Sequence, residues 1–160
     1  EADEEQILKL ISGAEQIIIP ACDGKNYLAK AKEMFKSFID SDFFEWELNK
    51  AGVATTETSV AVYEMVRDAT FVQMFGSIGA DLDKLCFTQH QIEAFCKLHR
   101  KWLRADQCAT FFLFKKDDQY FVARVRARSD GLDVCVSRLE SSDVWHAEYA
   151  HRLVVPKQDK

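Results

Sequence analysis

The strongest constraint in the sequence is a change of hydrophobic period after Gln107. Three strand-like runs follow, at 109–114, 120–128 and 132–139. The alternation along 120–128 is typical of a strand whose two faces differ in environment. The Asp-Gly pair that precedes the third run favours a tight hairpin. The sequence therefore predicts an antiparallel three-stranded meander in this part of the chain.

Before this change, apolar residues recur at three- and four-residue steps, which is typical of amphipathic helices. The pattern predicts helices over about 3–12, 27–48, 59–76 and 88–104. The third is apolar on nearly every side, so we expect it to be the most buried helix. Thr88 and Gln91 form a capping-box pattern at the start of the fourth.

The predicted fold class is therefore α+β, with a mainly helical N-terminal two-thirds packed on a C-terminal antiparallel three- to four-stranded meander. The candidate fourth strand, 152–155, ends at a proline and is expected at an edge. The 160 residues contain no linker, repeat or low-complexity tract, so we predict a single domain over 1–160.

Composition restricts the location and the partners. No apolar run approaches the roughly 20 residues of a membrane-spanning helix, which predicts no membrane partner. Five scattered cysteines without a Cys-x-x-Cys pair favour free thiols and a cytoplasmic protein. The chain begins with glutamate rather than methionine, which leaves open whether it is a fragment, a processed form or one domain of a longer protein.

Charge is unevenly distributed along the chain. The net charge is −5, but nine bases and only three acids lie between residues 97 and 128. On the predicted fourth helix, one narrow arc contains Lys97, Arg100, Lys101 and Arg104, opposite an apolar face. A basic arc of this kind is either a solvated face or a surface that contacts phosphates.

The second predicted strand repeats the basic pattern. Alternation places Arg124, Arg126 and Arg128 on one sheet face, where guanidinium groups suit phosphate or carboxylate. Cross-strand pairing with Asp133 or Glu140 is the structural alternative. The seven basic residues together are the candidate nucleic-acid or anion-binding set.

A second candidate group precedes the last apolar run. It consists of Trp145, His146, Tyr149, His151 and Arg152. Aromatic and cationic residues of this kind line many binding pockets, although packing at the open end of a small sheet also explains them.

The sequence predicts no metal site and no cofactor. Cys86, His90, Cys96 and His99 are the zinc-ligand types nearest to one another, but their spacing does not place all four on one helix face. The same cysteines and histidines form no recognisable nucleophile pair. No catalytic residue is therefore predicted, and the chain is more easily explained as a non-enzyme.

Several sequence segments of the chain resemble those of a family of short hypothetical proteins from uncultivated small-genome bacteria. They are Glu15–Gly24 (EQIIIPACDG), Phe38–Phe43 (FIDSDF), Val62–Phe75, His99–Arg104 (HRKWLR), Thr110–Lys115 (TFFLFK) and His151–Pro156 (HRLVVP). That family has no assigned activity, so the resemblance implies no functional residue. It favours a stand-alone cytoplasmic bacterial protein.

The leading hypothesis from the sequence is a non-enzymatic binding or interaction protein whose partner, another protein or a smaller ligand, is unknown. The first alternative is a nucleic-acid-associated protein that uses the basic helix face and the basic strand face. The second is an enzyme with an unrecognised site.

Overall fold

Strands dominate the part of the chain that the structure describes. The computed structural model describes residues 6–104 and 108–158. Nine strands lie within these residues: β1 (Leu8–Leu10), β2 (Ile17–Ile19), β3 (Phe38–Ile39), β4 (Thr58–Met65), β5 (Cys86–Phe87), β6 (Thr110–Lys116), β7 (Gln119–Arg128), β8 (Gly131–Arg138) and β9 (Arg152–Pro156). The three α-helices of the same residues are α1 (Asp42–Glu45), α2 (Phe71–Ile78) and α3 (Gln89–Leu98).

The nine strands form one mixed sheet. Its main path is β1-β4-β9-β6-β7-β8-β3, with β2 also paired to β4 and β5 to β6. β9 lies between β4, to which it is antiparallel, and β6, to which it is parallel. The C-terminal strand is therefore central, and the expectation that it would form an edge was wrong.

The predicted pairing of the three strand-like runs is confirmed. β6 pairs antiparallel with β7, and β7 pairs antiparallel with β8. Asp117 and Asp118, with φ of 52° and 67°, form the turn between β6 and β7. Positive φ at both central residues is the backbone of a type I′ hairpin turn.

The predicted fold class was wrong in its N-terminal part. Strands hold 35% of the described chain and helical residues 23%, so the three-stranded meander is one section of a large sheet. The predicted helix 59–76 is instead β4 followed by α2. β4 has sheet neighbours on both edges and contributes side chains to both cores, so its sequence is a continuous apolar run whose period does not distinguish strand from helix.

The other two predicted N-terminal helices also have a different structure. Residues 27–48 contain a 3-10 turn (Leu28–Lys30), β3 and the single-turn α1. The backbone of 34–40 bonds to β8 instead of to itself, as in Ser37 N to Leu132 O at 3.1 Å, and so covers that sheet edge. Of the predicted helix 3–12, residues 3–5 lie outside the described residues, and β1 within it pairs with β4.

α3 agrees best with the sequence prediction. Its capping box is present, because Gln91 N bonds to Thr88 Oγ1 and Thr88 N to Gln91 Oε1. The helix ends at Leu98, however, and a 3-10 turn follows over Arg100–Trp102. The predicted end at residue 104 was six residues too late.

The sheet is covered on both faces. One face packs against α3 through a core that includes Ile92, Phe95, Phe112 and Val125. The opposite face packs against α2 in a second core that includes Phe71, Phe75, Phe111 and Val122. Residues 139–151, the crossover from β8 to β9, contribute Leu139, Trp145 and Ala147 to this second core.

Candidate anion-binding site

The crossover is held on the α2 face by backbone hydrogen bonds. Trp145 N donates to Ala69 O at 2.9 Å, and Ala69 N donates to Trp145 O at 3.1 Å. One carboxylate, Asp68, accepts a bond from Ala147 N at 2.8 Å and lies 3.2 Å from His146 Nδ1. These contacts hold Trp145 against the sheet.

Aromatic rings surround Trp145 on several sides. Its ring centroid lies 5.0 Å from that of Phe111, 5.3 Å from Phe71 and 5.3 Å from His151. Tyr149 continues the cluster, 5.9 Å from His151. The apolar side of the site is therefore well packed, while Tyr149 remains 41% exposed.

The cationic side of the site comes from β7. Arg124 is opposite Phe111 of β6 and Cys135 of β8, and its guanidinium carbon lies 5.5 Å from the Trp145 ring centroid. Within the described residues, no carboxylate forms an ion pair with Arg124. The described residues therefore supply no carboxylate that neutralises the charge on Arg124.

The two following arginines on the same face share one acid. Arg126 Nε lies 3.5 Å from Asp133 Oδ1, and Arg128 Nε lies 2.6 Å from Asp133 Oδ2. The Asp133 side chain is only 4% exposed. Cross-strand pairing, the structural alternative considered for this stripe, thus applies to Arg126 and Arg128 but not to Arg124.

Several N–H donors here have no acceptor in the described part of the chain. They are the buried Nε atoms of Arg124 and Arg104 and the buried Nε1 of Trp145. Arg104 does contact Cys108, since its Nη2 lies 3.4 Å from Cys108 Sγ. A buried donor without an acceptor costs about 1–3 kcal/mol, so these three donors favour an acceptor from beyond the described residues.

His151 adds a neutral donor. Ala109 N donates to its Nδ1 at 2.9 Å, so the proton of the neutral ring is on Nε2. Burial, with smaller contributions from the nearby charges of Arg104, Arg126 and His146, lowers the pKa of His151 to about 4. The ring is therefore uncharged at neutral pH and does not add to the repulsion among the arginines.

We refer to Arg124, Arg126, Trp145, Tyr149 and His151 as the crossover site. The arrangement offers a guanidinium fork and ring N–H groups beside aromatic faces, which suits a carboxylate or a phosphate group. Cys135, opposite Arg124, does not provide a ready nucleophile because burial raises the pKa of its thiol.

The structure brings together parts of the two predicted groups and separates the rest. Arg104, Arg124 and Arg126 of the basic set lie near His151 and Trp145 of the aromatic group. Arg152 points to the opposite sheet face, where its Nη1 bonds to Trp102 O at 3.1 Å.

The basic residues at the end of α3 also lie apart from the β7 arginines. α3 packs on the sheet face opposite to that of Arg124, so Lys97 and Arg100 are on the other side of the sheet. Lys101 forms an ion pair with Glu15 at 3.1 Å. The seven basic residues therefore do not form one surface.

The four zinc-ligand types are also dispersed. His90 Nδ1 accepts from Gly24 N at 3.0 Å, and His99 Nε2 contacts Ile18 O at 2.8 Å. Cys96 is fully buried among apolar side chains of the α3 core, whereas Cys86 packs against the core beneath α2. Across residues 6–104 and 108–158, no group of three or more such residues is placed to hold a metal ion.

Sequence reasoning missed Asp68, Phe71 and Phe111, which fix the crossover and its tryptophan. These residues come from segments 34 to 77 positions away from Trp145, and no local pattern connects them to it. The bridge between Ala69 and Trp145 becomes visible only in the tertiary structure.

The chain has no match among models of known protein families. A search of curated proteins gave no significant match, and neither did a search of solved structures. No helix within the described residues is long and apolar enough to cross a membrane. The case for function therefore depends on the site itself.

Proposed function

We propose that the protein is a non-enzymatic binding protein and that its ligand presents an anionic group to the crossover site. The observation that carries this proposal is Arg124. Its guanidinium has no ion-pairing carboxylate among residues 6–104 and 108–158, and its Nε is buried against Trp145. An uncompensated cation with a buried donor is destabilising on its own, and an anion would neutralise the charge and accept the bond.

The chemistry of the donors indicates the ligand class. A guanidinium binds a carboxylate or a phosphate through two parallel N–H···O bonds. The neutral His151 and the indole of Trp145 donate without adding charge, and the exposed ring of Tyr149 offers an apolar contact for the rest of the ligand. A small molecule or a chain terminus with one anionic group meets these requirements.

The nucleic-acid hypothesis in its original form loses support, because Lys97 and Arg100 do not share a surface with Arg124. The enzyme alternative gains none, since the described groups around Arg124 include no activated nucleophile. The five free thiols support a cytoplasmic location, which remains part of the proposal, as does a bacterial origin.

Titration with simple anions tests the proposal. We would add inorganic phosphate, sulfate or acetate at constant ionic strength, with chloride as the reference anion, and follow the indole N–H resonance of Trp145, assigned with a Trp145→Phe variant. Saturable shifts are expected for at least one oxyanion, because the orphaned indole N–H lies beside the bound group.

A matched pair of arginine variants gives the control. Arg138 also stacks on aromatic rings, 4.5 Å from the Trp46 centroid, but outside the crossover site. Arg124→Met should weaken binding about tenfold or more, the effect of losing one charge-assisted hydrogen bond of about 1.5–3 kcal/mol, whereas Arg138→Met should leave it unchanged. No saturable shift with any oxyanion, or equal affinity in Arg124→Met, would overturn the proposal.

A further inference from the structure

A basic groove lies on the opposite side of the sheet from the crossover site. It has a volume of about 580 Å³ and runs between the segment 26–34 and one side of α3. Its cationic side chains are Lys30, Lys32, Lys97 and Arg100. We refer to these four residues as the Lys97 groove.

The four cations of the Lys97 groove are exposed, and none has an ion-pairing carboxylate within the described residues. Three lysines elsewhere do have such partners, since Lys101 pairs with Glu15, Lys115 with Asp83 and Lys116 with Asp117 at 3.0–3.1 Å. What distinguishes the four groove cations from the remaining lysines is that they line one concavity. In a chain with a net charge of −5, four unpaired cations around one concavity produce a local positive potential that attracts anions.

Two carboxylates reduce this potential without removing it. Glu33 and Glu93 also line the groove, and Glu93 Oε1 accepts a hydrogen bond from Asn26 Nδ2 at 2.9 Å. Four cations against two anions leave a net charge of +2 in the groove. The Glu33 carboxylate should therefore repel an anionic ligand. Its removal should strengthen binding, whereas removal of a groove cation should weaken it.

The distribution of the cations favours a chain of phosphates over one compact anion. Lys30 and Lys32 come from one wall, and Lys97 and Arg100 from the other, so no single oxyanion is surrounded by one fork of donors. Tyr27 lines the same groove. Cations along a groove with an aromatic ring on its wall are the features that bind single-stranded nucleic acid without sequence preference.

We propose that the Lys97 groove binds the backbone of single-stranded nucleic acid. The groove is of the size that holds a small ligand, so it accommodates one or two bases of an unpaired strand, while the exposed cations on its two walls contact the phosphates of these and the adjoining nucleotides. This site is separate from the crossover site, and each proposal stands or fails without the other.

Fluorescence anisotropy with labelled oligo-uridine and oligo-thymidine, measured at several salt concentrations, tests the proposal. Three to four phosphate contacts predict that log K falls with log salt at a slope of about −2 to −3 for single strands. The double variant Lys97→Ala/Arg100→Ala should flatten the slope by about 1.4, since two contacts are lost, and should weaken binding at low salt about tenfold. Glu33→Gln should strengthen binding.

The matched control is Lys9→Ala/Arg67→Ala, which removes the same net charge, one lysine and one arginine, at exposed positions outside the groove. Its affinity should change less than about twofold, because neither side chain lines the groove and charges on the rest of the surface are screened by salt. All of the altered side chains are at or near the surface, and circular dichroism would verify that each variant is folded.

Four results would overturn the proposal. They are no saturable binding at low salt, an equal loss of affinity in the control pair, tighter binding of duplex than of single strands, and competition by polyglutamate as effective as that by unlabelled oligo-uridine. The last of these would instead identify an acidic protein partner.

Discussion

Replacing Arg124 by methionine should stabilise the protein while removing anion binding. Methionine keeps an unbranched apolar side chain against Trp145 and removes the guanidinium. The buried Nε of Arg124 has no acceptor in the described part of the chain, which costs about 1–3 kcal/mol. The contact with the Trp145 ring at 5.5 Å returns about 0.5–1 kcal/mol. The difference predicts a free energy of unfolding higher by about 1 kcal/mol.

Arg126 provides the comparison, since it is two residues away on the same face but forms an ion pair with the buried Asp133. Arg126→Met leaves that carboxylate with Arg128 alone, so the free energy of unfolding should fall by about 1–3 kcal/mol. The two arginine substitutions, chemically identical, should therefore shift stability in opposite directions.

Urea denaturation followed by circular dichroism measures both effects. The midpoint should rise for Arg124→Met and fall for Arg126→Met with an unchanged slope, which shows that stability and not the denatured state has changed. The melting temperature of Arg124→Met should rise by about 2–4 °C. A loss of stability in Arg124→Met as large as that in Arg126→Met would falsify the argument, because Arg124 would then have a structural role.

Three further predictions concern the supports of the fold. His151 has a pKa of about 4 when folded, below its ordinary 6.5, so the free energy of unfolding should fall by up to about 3 kcal/mol as pH decreases from 6.5 to 4. In His151→Asn, the urea midpoints at pH 7 and pH 4.5 should differ less than they do in the unsubstituted protein. An equal difference in the two proteins would contradict this prediction. Gly24 has φ of +82°, and an added Cβ would overlap Val53 O, so Gly24→Ala should lower the free energy of unfolding by about 2 kcal/mol or more. Gly52 has open space around it, so Gly52→Ala should change the free energy of unfolding by less than about 0.5 kcal/mol. Equal urea midpoints for the two variants would refute the steric argument. Asp133→Asn should lower the free energy of unfolding by about 3 kcal/mol, because two arginines lose their shared carboxylate. An unshifted urea midpoint would show that the pairing contributes nothing to stability.

The sequence by itself determined the elements whose stabilising contacts are local. The meander β6-β7-β8 is predictable because hairpin partners are close in sequence and β7 and β8 show a period of two. The start of α3 is equally local, since Thr88 and Gln91 bond to each other across one turn. These predictions are confirmed to within a residue or two at each strand end.

Only the tertiary structure decided the N-terminal part of the fold. β4 is a strand because it lies between β1 and β9, and its partner Val154 is 92 residues from Val62. A segment buried on both faces carries no alternation, so its apolar residues fit a helix equally well. The same holds for 34–40, whose backbone bonds to the edge of β8 and not within its own turn.

For the candidate sites too, the sequence determined the local arrangement and the tertiary structure decided the contacts between distant residues. Alternation along β7 correctly placed Arg124, Arg126 and Arg128 on one face, but which of them is left without a carboxylate depends on Asp133 across the strand pair. The sequence also did not show that α3 and the crossover cover opposite faces of the sheet, which separates Lys97 from Arg124. Period and charge are properties of neighbouring residues, whereas the neutralisation of a charge depends on contacts between residues far apart in the chain, and folding alone determines those contacts.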